Sequence, residues 1–260
     1  MSTEPLPSQN EETERSDEVP PSTRFPFPLY TAAILFCIAA VCGVQVYFDP
    51  PENIGILDLL LSQFEKTAVA AGFVKSDLLE RGEIWRLFTG FATHGFILHA
   101  VINSYVLYSF GKLFEFLSDR SHLPIVFLLA AVGGSALSLI FMPYGISVGA
   151  SGGVLGIVSY LAVYAFRRRQ FISPAFRNNM IFNIGFILLF GLLLFRYVDN
   201  YGHIGGLAVG GLYGLLQIPS DPYVDPRNGG RLAKTLGIAS LAVFVLISLF
   251  AIYKMFASLG

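Results

Sequence analysis

Apolar positions along this 260-residue chain gather into seven long runs, at about 29–48, 96–116, 123–142, 150–166, 180–196, 201–218 and 235–256. A helix rises about 1.5 Å per residue, so about 20 apolar residues cross a hydrocarbon layer about 30 Å thick. The pattern predicts an all-α membrane protein, a polytopic bundle of seven transmembrane helices. Two of the runs, 150–166 and 201–218, are short and rich in glycine. Helices of that length end below the membrane surface or sit where the bilayer is thin. Between the first two runs lies a long polar interval, 49–95. Within it, Leu57, Leu60, Leu61 and Phe64 follow i, i+3, i+4, i+7 spacing. That spacing predicts an amphipathic helix, either lying in the membrane interface or covering the protein's own outer face.

Composition agrees: 54% of residues are hydrophobic and 13% are charged, against about 25% charged in a soluble domain. No basic patch or aromatic-interleaved basic stretch points to nucleic acid. Cys37 and Cys42 are five positions apart in one apolar run, on different faces of a helix, so no disulfide is expected between them. The first 28 residues carry acids (Glu4, Glu11, Glu12, Glu14, Asp17, Glu18) and prolines, and are expected to be a disordered tail. No cleavable signal peptide is expected, because the first apolar run starts late and is too long.

Charge placement sets the orientation. Arg167, Arg168, Arg169 and Arg177 follow the fourth run, Arg227, Arg231 and Lys234 the sixth, and Lys112 and Arg120 flank the end of the second. By parity all three groups lie on one side, which the positive-inside rule makes the cytoplasm. The N-terminus is then cytoplasmic, and the C-terminus and the loop 49–95 are outside. The expected division is a tail (1–28), a six-helix core with its outer loop (29–218), and a cytoplasmic loop with an extra helix (219–260). A bacterial inner membrane is the default location.

Polar groups inside a bilayer are costly unless paired, which makes each a candidate for function. His94, His99, Asn103, Ser151 and His203 are such groups. Singly, each has an ordinary explanation as a packing, interfacial or interhelical residue. Their depth sets them apart. Ser151 to Arg167, His203 to Pro219 and His99 to Glu115 are each 16 positions, or about 24 Å of helix. Three polar groups from three helices therefore fall at one level, near the outer face, with Asn103 one turn below His99 on the same side. Gly202, Gly206, Gly210 and Gly214 repeat every four residues, as do Gly149/Gly153 and Gly152/Gly156. Such small-residue faces let two helices approach closely and would bring Ser151 and His203 within hydrogen-bond reach.

With these motifs in view, the sequence resembles the rhomboid family of intramembrane serine proteases over about 85–215. The matching elements are Trp85-Arg86; His94, His99 and Asn103 with Glu115 further along; Gly149-Ala150-Ser151-Gly152, a GxSG; and His203, Gly206 and Gly210. The resemblance implies a rhomboid six-helix core plus one C-terminal helix, with Ser151 as nucleophile and His203 as general base. It assigns the oxyanion to His99, Asn103 and the Ser151 N–H, and the anchoring of the outer loop to Trp85 and Arg86. His94, Glu115, Gly149, Gly152, Gly206 and Gly210 are then structural. No cofactor or metal is implied, and the expected partners are the bilayer and single-span or multi-span membrane-protein substrates. One position departs from the family: Leu155 stands where a tyrosine often stacks on the catalytic histidine. Asp199 lies four residues before His203, in a loop, and no acid is placed to make a triad, so a Ser-His dyad is expected. A proteolytically dead rhomboid-like protein would typically lack the serine or the histidine. A transporter would show an inverted repeat and midplane polar groups. No HExxH or GxGD motif points to other intramembrane proteases.

Overall fold

The computed structural model describes residues 26–53, 55–193 and 198–260. Residues 1–25 of the acidic tail, Ile54, the last part of the fifth run (194–196) and Tyr197 lie outside them. Among the described residues the seven apolar runs are seven long helices: α1 (Leu29–Phe48), α6 (Ile97–Leu117), α7 (His122–Phe141), α8 (Ser151–Arg167), α9 (Pro174–Leu193), α10 (Asn200–Gln217) and α11 (Arg231–Leu259). The outer loop carries four short ones: α2 (Ile56–Leu61), α3 (Glu65–Ala71), α4 (Lys75–Arg81) and α5 (Arg86–Thr89). By length and composition α1, α7, α9 and α11 are each apolar enough to cross a membrane. The others are shorter, or carry the polar residues that drew attention above.

Prolines punctuate the ends, since a proline cannot continue a helix that needs its N–H. α1 stops before Pro50-Pro51, α7 before Pro143 and α10 before Pro219. The fifth run begins earlier than its hydropathy suggested. Pro174 opens α9 at the position that tolerates proline, and the Ser173 hydroxyl accepts the Phe176 N–H at 3.2 Å, adding a polar first turn. The last helix also outruns its apolar stretch.

α8 is the innermost helix, buried without a break from Gly153 to Leu161. It packs between α7 and α10, and α11 lies across α1, α7 and α3. α9 rests on α8 and the start of α10. Its stripe Phe182, Phe186 and Phe190 stacks ring on ring at 6.1 and 6.2 Å. All three rings are exposed.

One local expectation is corrected, and two further features lie beyond what periodicity signals. The amphipathic helix does not run through Phe64. α2 ends at Leu61 with none of its residues buried, whereas Phe64 is buried and precedes α3, its N–H bonded to the Gly95 carbonyl at 2.8 Å. A short antiparallel pair, β1 (Phe73–Val74) with β2 (Ile146–Ser147), joins the outer loop to the approach to α8. His122 is buried at the start of α7. Its Nδ1 lies 2.7 Å from the Tyr213 hydroxyl and its Nε2 3.1 Å from the Gln217 amide.

Candidate active site

Ser151 is the first residue of α8, and the backbone before it decides where it points. Gly149 has φ +124°, a region that disfavours any residue with a Cβ. A Cβ there would also lie 2.6 Å from the His99 imidazole. The Gly149 N–H is tied to the Gly90 carbonyl at 3.0 Å. Glycine at 149 thus allows both the turn into α8 and the close approach of His99.

His203 occupies the first turn of α10. Its Nε2 lies 2.9 Å from Ser151 Oγ. The helices that carry the pair touch through backbone: a Cβ on Gly206 would come within 2.2 Å of the Gly152 carbonyl oxygen, and one on Gly210 within 2.2 Å of that of Gly156. A third helix joins the junction. Cβ atoms on Gly134 and Gly205 would reach the carbonyls of Gly202 and Gly133 at 2.6 and 2.7 Å. The α7 glycines were absent from the sequence reading, although the pair Gly133-Gly134 stands out in its apolar run.

Ser151 and His203 open onto a cavity of about 650 Å³ also lined by His99, Asn103, Leu155 and Asp199. His99 and Asn103 share one face of α6, as their spacing required. The Asn103 amide donates to the His99 carbonyl at 3.0 Å, which engages one of its two N–H bonds. Leu155 is buried in the cavity wall. The Nδ1 of His203 is buried and has no hydrogen-bond partner among the described residues.

His94, Glu115, Trp85 and Arg86 do not line this cavity. His94 is fully buried, its ring 5.2 Å from that of His99 and edge-on to it. Burial, aided by the charge His99 would carry, pushes its pKa down to about 3, so the ring is neutral. Its backbone is clamped by a residue that the sequence reading passed over. Gln45 of α1 accepts the His94 N–H at 2.9 Å and donates to the His94 carbonyl at 2.8 Å. Glu115 accepts the Thr31 N–H at 2.8 Å and its hydroxyl at 2.7 Å, joining α6 to the start of α1. Arg86 is buried and donates to the Val69 and Gly72 carbonyls at 2.9 and 3.0 Å, with Asp77 at 3.1 Å and Glu83 at 2.5 Å. Its guanidinium lies over Trp85, which also meets Lys254 and Phe250 of α11. Arg86 thus joins segments of the outer loop to one another, and Trp85 meets the last helix.

The family model described as the Rhomboid domain matches residues 81–220, more than half the chain and the helices that carry His99, Asn103, Ser151 and His203. The chain belongs to the rhomboid family. It is 35% identical over 148 residues to the rhomboid protease GluP of Bacillus subtilis, covering 57% of this chain and 29% of that protein. It is 32% identical over 164 residues to the mitochondrial RHOMBOID-like protein 6 of Arabidopsis thaliana, covering 59% of this chain and 51% of the relative. It is also 31% identical over 145 residues to inactive rhomboid protein 1 of Rattus norvegicus, covering 55% of this chain and 16% of that one. The matches thus span about half or less of these relatives. This rhomboid is a polytopic helical membrane protein, and the family contains both proteases and members named inactive.

Proposed function

We propose that this rhomboid is an intramembrane serine endopeptidase that cleaves transmembrane segments of other membrane proteins near the outer face, through a Ser151–His203 dyad. The observation that carries this reading is the 2.9 Å contact between His203 Nε2 and Ser151 Oγ in a cavity between helices. A serine hydroxyl is a weak nucleophile until an adjacent base removes its proton, and imidazole does so near neutral pH. Ser151 Oγ attacks the scissile carbonyl as its proton passes to His203 Nε2. The carbonyl oxygen becomes an oxyanion beside His99, the Asn103 amide and the Ser151 N–H. As the first residue of α8, Ser151 has no helical carbonyl for that N–H, and the positive end of the helix dipole faces the same point. Collapse of the intermediate breaks the C–N bond, and His203 returns the proton to the leaving amine. Water, deprotonated by His203, then hydrolyses the acyl-enzyme. With no acid on His203 Nδ1 among the described residues, glycine packing between α8 and α10 does part of the orienting that a third residue does elsewhere.

On this reading the six-helix core, 29–218 with the loop 49–95, carries the chemistry, and 219–260 adds a loop and a seventh span. The arginines after α8 put that end in the cytoplasm, the N-terminus with it and the C-terminus outside. A bacterial inner membrane is the location that the reading adopts. A peptide bond inside a helix has its carbonyl bonded, so a substrate needs a segment that unwinds cheaply, with Gly, Ser or Pro near its outer end.

The inactive relative raises a second reading, a rhomboid that binds clients without cleaving them, and Leu155 in place of the family's frequent tyrosine favours it. Cleavage of tagged single-span proteins by purified wild type, Ser151→Ala and His203→Ala decides between them. Wild type should cleave and each variant should lose cleavage while remaining folded. Cleavage by Ser151→Ala would remove Ser151 as nucleophile, and no cleavage by wild type across the panel would favour the binding role.

A further inference from the structure

Asp199 was set aside above as a loop residue: its main-chain carbonyl accepts the His203 N–H at 3.1 Å, but its carboxylate bonds to Gly202, Ser147 and Ser138 and not to the imidazole. Its carboxylate is nevertheless closely held. Oδ1 accepts the Gly202 N–H at 2.9 Å, the N-cap of α10. Oδ2 accepts the Ser147 hydroxyl at 2.6 Å and that of Ser138 of α7. Lys75, from the outer loop, is almost fully buried and brings its Nζ within 4.0 Å of the same oxygen. Burial alone would raise the Asp199 pKa. The hydrogen bonds from Ser138, Ser147 and Gly202, with Lys75, outweigh it and leave the value below the ordinary 3.8.

The sequence positions give these contacts a direction. Ser147 is four residues before Ser151, and Asp199 is four residues before His203. The Ser147–Asp199 bond therefore joins the two chain segments that lead into the two members of the proposed dyad. Ser147 is itself placed by pairing with Phe73, and the next residue, Val74, opens into α4 and Lys75. The carboxylate also sits at the tight contact of α7 and α10. A Cβ on Gly202 would lie 3.1 Å from the Asp199 carboxyl carbon, while one on Gly134 would lie 2.6 Å from the Gly202 carbonyl oxygen.

We infer that Asp199 is a positioning residue: through Ser147 and Gly202 its carboxylate holds the lead into Ser151 and the lead into His203 in one register, with Ser138 as a third donor and Lys75 as counter-charge. The inference rests on the Ser151–His203 reading. It assigns Asp199 no proton transfer. What it supplies is the constancy of one 2.9 Å contact, and displacement of catalytic groups by about 1 Å costs up to about 100-fold in rate.

The test uses the full-length protein in detergent or proteoliposomes, with kcat expressed per site titrated by a fluorophosphonate. Asp199→Ala and Ser147→Ala should each lower kcat by about 10- to 100-fold with KM changed less than about 2-fold. Asp199→Asn, whose Oδ1 still accepts the Gly202 N–H and whose amide N–H can donate to the Ser147 hydroxyl oxygen, should recover much of the Asp199→Ala loss. Ser147→Ala should add little to Asp199→Ala, because both remove one link. Ser147→Ala leaves the α10 cap in place and serves if Asp199→Ala does not fold. A kcat per titrated site equal to wild type in Ser147→Ala, or independent multiplication of the two losses, would overturn the inference. Ser151→Ala and His203→Ala run alongside. If they still cleave, the dyad reading fails and the inference with it; if they are dead while Ser147→Ala is unimpaired, the inference alone fails.

Discussion

His94 shows what a buried polar side chain contributes at the scale of one residue. It does not line the cavity; it stands behind His99, with its backbone clasped by Gln45. Its pKa, pushed down to about 3 by burial first and by His99 second, makes a signed prediction. The unfolded chain takes up the proton near pH 6.5, while the folded one resists it. The stabilising difference is therefore complete above about pH 6.5 and is lost as pH falls from there toward 3. Thermal unfolding in detergent between pH 6.5 and 5 should show wild type losing stability faster than His94→Gln. Parallel curves would show that His94 is not held neutral by burial. Gln45 also marks what sequence reading missed. It is a polar residue in the apolar run 29–48, so the rule that flagged Ser151 would have flagged it too. Its partner, the backbone of His94, lies 49 positions away, and no spacing rule reaches that far.

Among the elements, the glycine faces were legible because small-xxx-small is a local pattern. It foretold that the glycine faces of α8 and α10 meet; the structure pairs Gly152 with Gly206 and Gly156 with Gly210. That α7 enters the same junction through Gly133 and Gly134 depends on how three helices assemble, which no single run encodes. Gly206→Ala and Gly210→Ala each place a methyl 2.2 Å from a backbone oxygen, and backbone cannot yield as a side chain can. Each should destabilise the protein by about 1–3 kcal/mol or more, read as a lowered unfolding temperature. Gly185→Ala in α9, with nothing within 4 Å of its Cβ, should be neutral or slightly stabilising. Equal effects at all three sites would contradict the packing. The outer loop was read less well. The i, i+3, i+4, i+7 pattern of 57–64 is real, but the chain breaks after Leu61 and turns Phe64 into the core. Periodicity counts faces without knowing where a helix stops.

For the whole molecule, the polytopic helical architecture was readable from hydropathy, since bilayer thickness dictates helix length; helix ends were less so, α9 starting at Pro174 where the apolar run begins at 180. The orientation of the bundle rests on basic residues, and the structure gives one of them a second task. Arg168 is buried and donates to the carbonyls of Pro219, Asp221 and Val224 at 2.8–3.1 Å, so it also fastens the loop after α10. Arg169 stays exposed. A cysteine replacing exposed Gln170 should react with an impermeant thiol reagent only after the cytoplasmic side is opened. One replacing Tyr144, 76% exposed at the opposite end of the bundle, should react in intact cells. A reversed pattern would place the Ser151 level on the cytoplasmic side.

The central claim is that Ser151 is a nucleophile and that His203 makes it one. The most direct measurement is covalent capture: purified protein treated with a small fluorophosphonate, the modified peptide located by mass spectrometry, and the rate compared with that of His203→Ala. The account predicts one stoichiometric adduct on Ser151 in wild type, and loss of nearly all labelling in His203→Ala although Ser151 is still present. An adduct on another residue, no adduct in a folded protein, or labelling of Ser151 at an undiminished rate without His203 would contradict it.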